Sequence, residues 1–306
     1  MVDSLEIKPN RVGIEVSSAA FRAVSIDEND VLAASFSTPV ELSELRVPQL
    51  VRFINALKTE FGDFERVGLS FPGLVDRKAQ RVAFSAHIPE HSDIDLVRDI
   101  QSATGLKITI ENDANAAAFG ESKLGAGRGN RNMFYVTLGE GIGGAFIFEG
   151  EIWRGASGFA GEFGYVPINS EGTRLEDVAS TANIIRRTRS RFNRDSTSSL
   201  HNLEEEAITL EEIISAAENQ DDFAQMMLKR TGAYVGSAIA TVINLLNVEK
   251  IIIGGEIMKA KRLVLDAIIE RAHELSFRPS FDSTAIVEGT LAENAAAAGA
   301  ALLANQ

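Results

Sequence analysis

Glu111-Asn112-Asp113-Ala114-Asn115 puts two carboxylates and two carboxamides where an alternating apolar stretch, 107–111, gives way to an alanine-rich one, 114–124. A strand feeding a helix there leaves Asp113 beside the exposed N–H groups and positive dipole end of the helix. In α/β sheets that carboxyl end is where ligands bind. Asn112 or Asp113 is then either a plain N-cap, which any helix start can show, or part of a reactive pair. In the second reading Asp113 is a general base and Asn112 orients a hydroxyl-rich substrate. Ala160-Gly161-Glu162-Phe163-Gly164-Tyr165 offers a further carboxylate. Its flanking glycines allow close backbone approach and leave Glu162 able to accept paired hydroxyls, although a structural turn has the same composition. Glu176 opens a helix after the short loop 170–173, a place where a carboxylate needs no function. Gly139-Glu140-Gly141-Ile142-Gly143-Gly144 lies between two β-branched runs. Such a turn aims its amides into a concavity that favours a phosphate, yet Glu140 sets a negative charge in its middle. His87, His91, His201 and His273 show no metal-ligand spacing, so no metal site is expected.

The elements that must position these groups read as an α/β pattern. Strands are expected at 12–16, 21–26, 31–37, 66–71 and 107–111, with Pro72-Gly73 as a stop. A helix starts at Pro48 and carries Leu50, Val51, Ile54, Leu57 and Phe61 at helical spacing; Ser92 caps a second that runs to Thr104 with Ile94, Val97 and Ile100 on its apolar side; a third spans 114–124. The pattern then starts again. A hairpin at 133–138 and 145–149 surrounds the glycine loop, 151–153 extends it, and helices are expected at 176–192, 210–218 and 221–247. The wholly apolar strand 250–253 ends at Gly254-Gly255, and a helix at 259–275, a strand at 284–291 and a helix at 293–305 follow. Asn193 to Asn202 is serine-rich and unpatterned, and reads as an exposed loop or lid edge. The repetition implies two duplicated halves around a cleft, with Gly125 to Asn130 as a joint.

Composition narrows the function. A net charge of −13 disfavours a nucleic-acid surface. The cluster Arg186-Arg187-Thr188-Arg189-Ser190-Arg191 with Arg194 reads as the solvated face of a helix rather than a phosphate-binding patch. Without cysteine there is neither a disulfide nor a thiolate metal site. The polar first ten residues show no signal peptide, and no apolar run is long enough for a membrane span, so a cytoplasmic protein without membrane partners is expected.

Taken in order, six segments between Val12 and about Ala304 resemble the ROK family, which groups bacterial sugar kinases with sugar-responsive repressors. The resemblance implies the actin/hexokinase-type fold, two ribonuclease H-like α/β domains at 1–120 and 121–306, with the last helix packing back on the first domain. Phe71-Pro72-Gly73-Leu74-Val75 resembles the family's first sugar-contact loop, and Glu111 to Asn115 its catalytic motif, in which Asp113 takes the proton of the sugar hydroxyl. Leu138 to Gly144 resembles the second phosphate loop, so Gly139, Gly141 and Gly143 would face phosphates. Gly161-Glu162-Phe163-Gly164 and Leu175-Glu176 supply the sugar-binding glutamates, and Asn244 to Gly254-Gly255 ends in the adenosine-side glycines. ATP and Mg²⁺ as cosubstrates and a homodimer are implied with them.

The chain departs from that pattern at three places. Kinases of the family carry Asp and a Gly-Gly-Thr-type turn at the first hairpin, where this chain has Glu15-Val16-Ser17-Ser18-Ala19. Glu15 keeps a negative charge for Mg²⁺, while Ser17 and Ser18 add Cβ atoms where phosphate and backbone meet. Glu140 stands where the family has Thr. A carboxylate about 6 Å from a phosphate oxygen costs roughly 3 kcal/mol at an effective dielectric near 20 unless Mg²⁺ intervenes. Finally, Tyr165 replaces the His of the family's zinc knob and no cysteine exists, so no zinc is expected; a phenol there can still donate to a sugar hydroxyl. Two functions follow. One is an ATP-dependent hexose or amino-sugar kinase slowed by altered phosphate loops, with Gly73, Asn112, Glu162, Tyr165 and Glu176 on the sugar. The other is a non-catalytic sugar sensor akin to the repressor branch but without a DNA-binding module, since only about ten residues precede Val12.

Overall fold

Alternation places Val12, Ile14 and Val16 inward on the first strand, and the chain builds outward from it. A computed structural model describes residues 11–85, 88 and 95–304. In chain order the elements are β1 (Arg11–Val16), β2 (Ala20–Ile26), β3 (Leu32–Pro39), α1 (Arg46–Phe61), β4 (Arg66–Phe71), β5 (Leu74–Asp76), β6 (Arg81–Phe84), α2 (Leu96–Thr104), β7 (Lys107–Asn112), α3 (Asp113–Lys123), β8 (Met133–Leu138), β9 (Ile142–Phe148) and β10 (Glu151–Trp153). There follow α4 (Glu176–Ala179), α5 (Thr181–Arg189), α6 (Leu210–Glu218), α7 (Asp222–Leu246), β11 (Lys250–Gly254), α8 (Arg262–Leu275), α9 (Arg278–Asp282), β12 (Ala285–Glu288) and α10 (Ala295–Leu303). The expected cap Ser92, its neighbour Ile94, His87, His91 and the first ten residues lie outside the described residues.

Two compact units form. The first takes in the described residues to Arg128, Glu151–Ala160 and the chain from Thr290; the second takes in Gly129–Gly150 and Gly161–Gly289. In the first, the sheet order is β3-β2-β1-β4-β7: β1, β2 and β3 pair antiparallel, and β4 and β7 add in parallel. In the second, β9-β8-β11-β12 repeats the scheme, an antiparallel pair extended by parallel strands. Within each sheet the parallel strands end on the same side, where their following loops carry the polar motifs.

Glycine sets how closely helices approach these sheets. A Cβ on Gly13 of β1 would lie 2.0 Å from the Ala297 carbonyl oxygen, and one on Gly68 of β4 would lie 1.8 Å from that of Ala300. The alanine-rich α10 thus lies directly on the first sheet and on α3. In the second unit, Gly232 and Gly236 of α7 admit α8 in the same way, with a Cβ 2.6 and 2.5 Å from the Val264 and Ile268 carbonyl oxygens. Glu121, buried in α3, accepts the N–H groups of Ala126 and Leu291 at 2.8 Å each, tying together the chain near its exit from the first unit and its return.

Several elements differ from the sequence reading. The stop at Pro72-Gly73 opens a small hairpin, β5–β6, closed by Asp76, whose Oδ1 accepts from Lys78 and Ala79 N–H at 3.0 Å. The helix expected over 176–192 breaks at Ser180, which is extended (ψ 158°), because Thr181 turns to donate its N–H to the Gly139 carbonyl at 2.9 Å. The helix expected from Lys259 starts at Arg262, after Lys261 at φ 50°, and the last strand is shorter than 284–291. The serine-rich stretch is no loose lid: Leu200 is buried, and Asp221, the cap of α7, accepts from Ser198 Oγ, Ser199 N–H and Ser199 Oγ at 2.7–2.9 Å. The arginine cluster is not all solvated either. Arg187 is buried against α7, donating to Thr231 Oγ1 at 2.7 Å, and burial lowers its pKa to about 10. No helix among the described residues is long and apolar enough to cross a membrane.

Candidate active site

β7 delivers the chain into α3 at Asn112. Its backbone is extended (φ −65°, ψ 145°) and its Oδ1 accepts the Asn115 N–H at 2.9 Å, the N-cap reading. The same side chain also donates through Nδ2 to the Gly73 carbonyl and to Asp113 Oδ1, both at 2.9 Å. Asp113 Oδ1 takes a second bond, from the Ala114 N–H at 2.8 Å. Capping and orienting are thus one arrangement, and Asp113 is held from two sides by one of its oxygens. The parallel register that sets Phe71 beside Asn112 brings the turn after β4 to this point. Gly73 (φ 109°) must be glycine, since a Cβ would lie 2.3 Å from the Phe84 carbonyl oxygen.

Behind this pair lies Glu111, buried at 3% exposure. Its Oε1 accepts the Asn112 N–H at 3.1 Å and Asn115 Nδ2 at 3.2 Å. Its Oε2 takes Arg154 through Nη2 at 2.7 Å and Nε at 3.1 Å, with Arg77 Nη1 at 3.7 Å. Burial lowers the pKa of the Arg77 guanidinium, an effect that Glu111 opposes. The sequence reading named neither arginine. Their side chains reach Glu111 from the end of the β5–β6 hairpin and from the segment after β10, and no short-range spacing signals such returns.

The first hairpin turn closes on itself. Ser17 Oγ donates to the Ala20 carbonyl at 2.8 Å and accepts its N–H at 3.0 Å, while Arg46 Nη1 donates to the Ser17 and Ser18 carbonyls at 3.0 and 3.1 Å. Neither serine takes a positive φ, so this turn does without the glycine geometry that the family pattern has there. Glu15 is paired across the strands with Arg22, Oε2 to Nη1 at 2.9 Å. Burial raises the Glu15 pKa and Arg22 opposes the rise.

In the second unit, β8 and β9 hold the loop Gly139–Gly141, with the Gly139 N–H on the Gly141 carbonyl at 3.0 Å. Thr181 Oγ1 donates to Glu256 Oε1 at 2.6 Å just after Gly254-Gly255, fastening α5 to the end of β11. At Gly255 backbone accounts for the glycine, with φ 93° and a Cβ that would lie 2.3 Å from the Leu138 carbonyl oxygen; at Gly254 a Cβ would meet Tyr135 Oη at 2.3 Å. Gly139 is different. A Cβ there meets nothing closer than Glu256 Cγ at 3.7 Å and needs no positive φ, so no atom of the chain demands glycine. Glu140 is exposed, and Gly143 lies in β9 opposite Thr137.

Glu176 accepts the Ile142 N–H at 2.9 Å, so the carboxylate that opens α4 is fixed to β9, the strand that leaves the glycine loop. The connection 166–175 is held by its own backbone, with Leu175 N–H on the Val166 carbonyl and Ile168 N–H on the Thr173 carbonyl at 2.9 Å. Tyr165 is exposed, its ring covered by the Arg174 guanidinium at 4.3 Å. Glu162 is exposed as a residue, yet partial desolvation of its carboxyl, and then the charge of Glu176, raise its pKa. A raised pKa means protonation at a higher pH on acidification. Sugar affinity that depends on the Glu162 carboxylate is therefore expected to fall as pH drops, beginning above the ordinary value of 4.5. Its effect on folding has the opposite sense, favouring the native state below the unfolded pKa and fading as pH rises through the raised one. Calorimetric sugar titrations at descending pH check this; affinity flat to below that value would contradict it.

A sequence model of the ROK family matches residues 11–306. The chain is 31% identical over 304 residues to a glucokinase of Thermotoga maritima, with 95% of each chain covered. It is 27% identical over 271 residues to a xylose repressor of Bacillus subtilis, covering 86% of this chain and 67% of the repressor. Among solved structures, a ROK family glucokinase from Streptomyces griseus in complex with glucose and AMPPNP superposes with a TM-score of 0.85 at 27% identity, over 97% of this chain and 99% of that one.

Proposed function

The chain belongs to the ROK family, with its actin/hexokinase-type fold, and on that premise we propose that it is an ATP-dependent kinase of a hexose or related amino sugar. The observation that carries the reading is the doubly held Asp113 at the end of β7. A sensor needs only a hydrogen bond there, which Asn would make as well. In the reaction the sugar hydroxyl oxygen forms a bond to the γ-phosphorus of ATP as the bond from that phosphorus to the β–γ bridging oxygen breaks. The hydroxyl proton passes to Asp113. Asn112, Gly73, Glu162, Tyr165 and Glu176 hold the sugar, and Gly139, Gly141, Gly143, Gly254 and Gly255 receive the nucleotide. Phosphoryl transfer is mostly positioning and charge stabilisation, so the residues around the phosphates decide the rate.

Those residues fit ATP unevenly. Gly139, with no internal reason to be glycine, supports a phosphate approaching the loop. At the first hairpin Glu15 is engaged by Arg22, and the Ser17-Ser18 carbonyls by Arg46. Mg²⁺ would supply charge neutralisation at the phosphates, and Glu15 is the carboxylate that would hold it through water. Zinc has no part in this proposal, and the homodimer implied by the resemblance and the lack of nucleic-acid partners expected from the net charge are retained with it. The altered first hairpin favours the second reading, a sugar sensor.

Titration with Mg-ATP, with and without a panel of hexoses and amino sugars, separates the two. Sugar binding without nucleotide binding at millimolar ATP would sink the kinase. Glu140→Thr removes the negative charge of the loop. Because Glu140 is exposed, screening reduces the full Coulomb penalty, and nucleotide affinity is expected to rise about tenfold. An unchanged Kd for Mg-ATP would show that Glu140 does not oppose phosphate.

A further inference from the structure

We propose that Arg154 is a positioning residue for phosphoryl transfer, acting through Glu111 to hold Asn112 and Asp113 in place. The proposal rests on the reading of Asp113 as the base. The Glu111 carboxylate divides its work between its two oxygens. Oε2 takes both Arg154 donors, at 2.7 and 3.1 Å, while Oε1 takes the Asn112 amide and the Asn115 carboxamide. The arginine fixes the rotation of the carboxylate, and the carboxylate fixes the strand-to-helix turn that presents Asp113.

Burial makes this arrangement depend on its cation. Glu111 is almost wholly shielded from water, and a buried carboxylate that loses its counter-ion must protonate, move or admit solvent. Arg77 cannot take over without moving, since its nearest nitrogen is 3.7 Å away. Protonation weakens, and movement breaks, the bonds that Oε1 accepts from Asn112 and Asn115. Asn112 in turn carries the bond to Asp113 Oδ1 and the bond to the Gly73 carbonyl.

Arg154 is itself held in a defined place. It follows β10, in the ten-residue excursion Glu151–Ala160 that joins the first unit although the chain on either side belongs to the second. Gly155 at φ 70° turns the chain, and the Ala160 N–H closes the loop on the Arg154 carbonyl at 3.1 Å. Two residues past Ala160 comes Glu162, the proposed sugar carboxylate. This excursion spans the sequence between the glycine loop and the proposed sugar glutamate, and its Arg154 is spent on the residue behind the proposed base.

The test compares Arg154→Met, Arg154→Lys and Arg154→Ala with the unaltered chain and Asp113→Asn, in steady-state turnover on the best sugar of the panel and in calorimetric sugar binding. Arg154→Met is expected to lower kcat about 10²-fold, the scale of a small misplacement of a reacting group, while sugar affinity stays within about threefold. Arg154→Lys recovers part of the rate, and added guanidinium recovers part of it in Arg154→Ala, which a merely structural lesion would not allow. Circular dichroism melts confirm that each variant is folded at the assay temperature. If Asp113→Asn is inactive but Arg154→Met turns over normally, or loses only sugar affinity, the positioning role is overturned and the kinase reading stands. If the unaltered chain transfers no phosphate to any sugar, the kinase reading fails and the proposal falls with it.

Discussion

Asp113→Asn is expected to lower kcat by about 10³-fold, within the range that a positioned general base contributes, and to leave sugar affinity within about threefold. The substitution suits the question because the surroundings of Asp113 can keep its shape. A carbonyl at the Oδ1 position still accepts from Asn112 Nδ2 and from the Ala114 N–H, so the side chain is anchored as before. What changes is basicity: a carboxamide cannot take the hydroxyl proton. A uniform-binding role would raise KM with kcat intact, whereas a role confined to the transition state lowers kcat and kcat/KM together. Single-turnover phosphoryl transfer alongside calorimetric sugar binding reads both. Turnover that survives in Asp113→Asn would remove the base from the mechanism, and an equal loss of sugar affinity would make Asp113 a binding residue only.

The local features of this site were legible in the sequence, because they depend on short-range chemistry. The passage from alternating β-branched residues into alanines marks the end of β7, and the carboxamide before it marks the cap. The structure adds that Asn112 caps α3 and holds Asp113 at once, so one carboxamide sets both the helix start and the placement of the carboxylate after it. The long-range features were not legible. Arg154 meets Glu111 from 43 residues away, and nothing near either residue announces it. Likewise Thr181 breaks a stretch with good helical spacing because it bonds Gly139 and Glu256, a tertiary preference that overrides local propensity. Arg187 shows the same limit in reverse. Composition counted it with a solvated cluster, but helical phase turns it toward Thr231 while Arg186 is exposed. Charge counts describe a segment, and burial is decided residue by residue.

Gly299→Val is expected to destabilise the chain by more than about 4 kcal/mol, in the range reserved for severe core lesions. Gly299 lies in α10, where a Cβ would sit 1.7 Å from the Ala116 carbonyl oxygen and 3.0 Å from the Gly120 nitrogen, both in α3. Those neighbours are helix backbone and cannot swing aside as a side chain would. Relief requires α10 to move away from α3, but its other face rests on β1 and β4 through Gly13 and Gly68, where a Cβ has just as little room. The helix is held between two backbone surfaces, so the branched side chain at Gly299, whose Cβ alone clashes, loosens contacts on both. Since α3 begins at Asp113, a displaced α10 also disturbs the base, and activity should fall with stability. Gly105→Asn is the control. Gly105 is left-handed at φ 72°, a conformation that Asn tolerates, and a Cβ there meets nothing within 4 Å, so its cost should be only a few tenths of a kcal/mol. Urea unfolding of the three proteins measures the difference. A Gly299→Val midpoint close to that of the unaltered chain would mean that α10 can slide on the sheet, and that the close approach of these helices is not what stabilises the first unit.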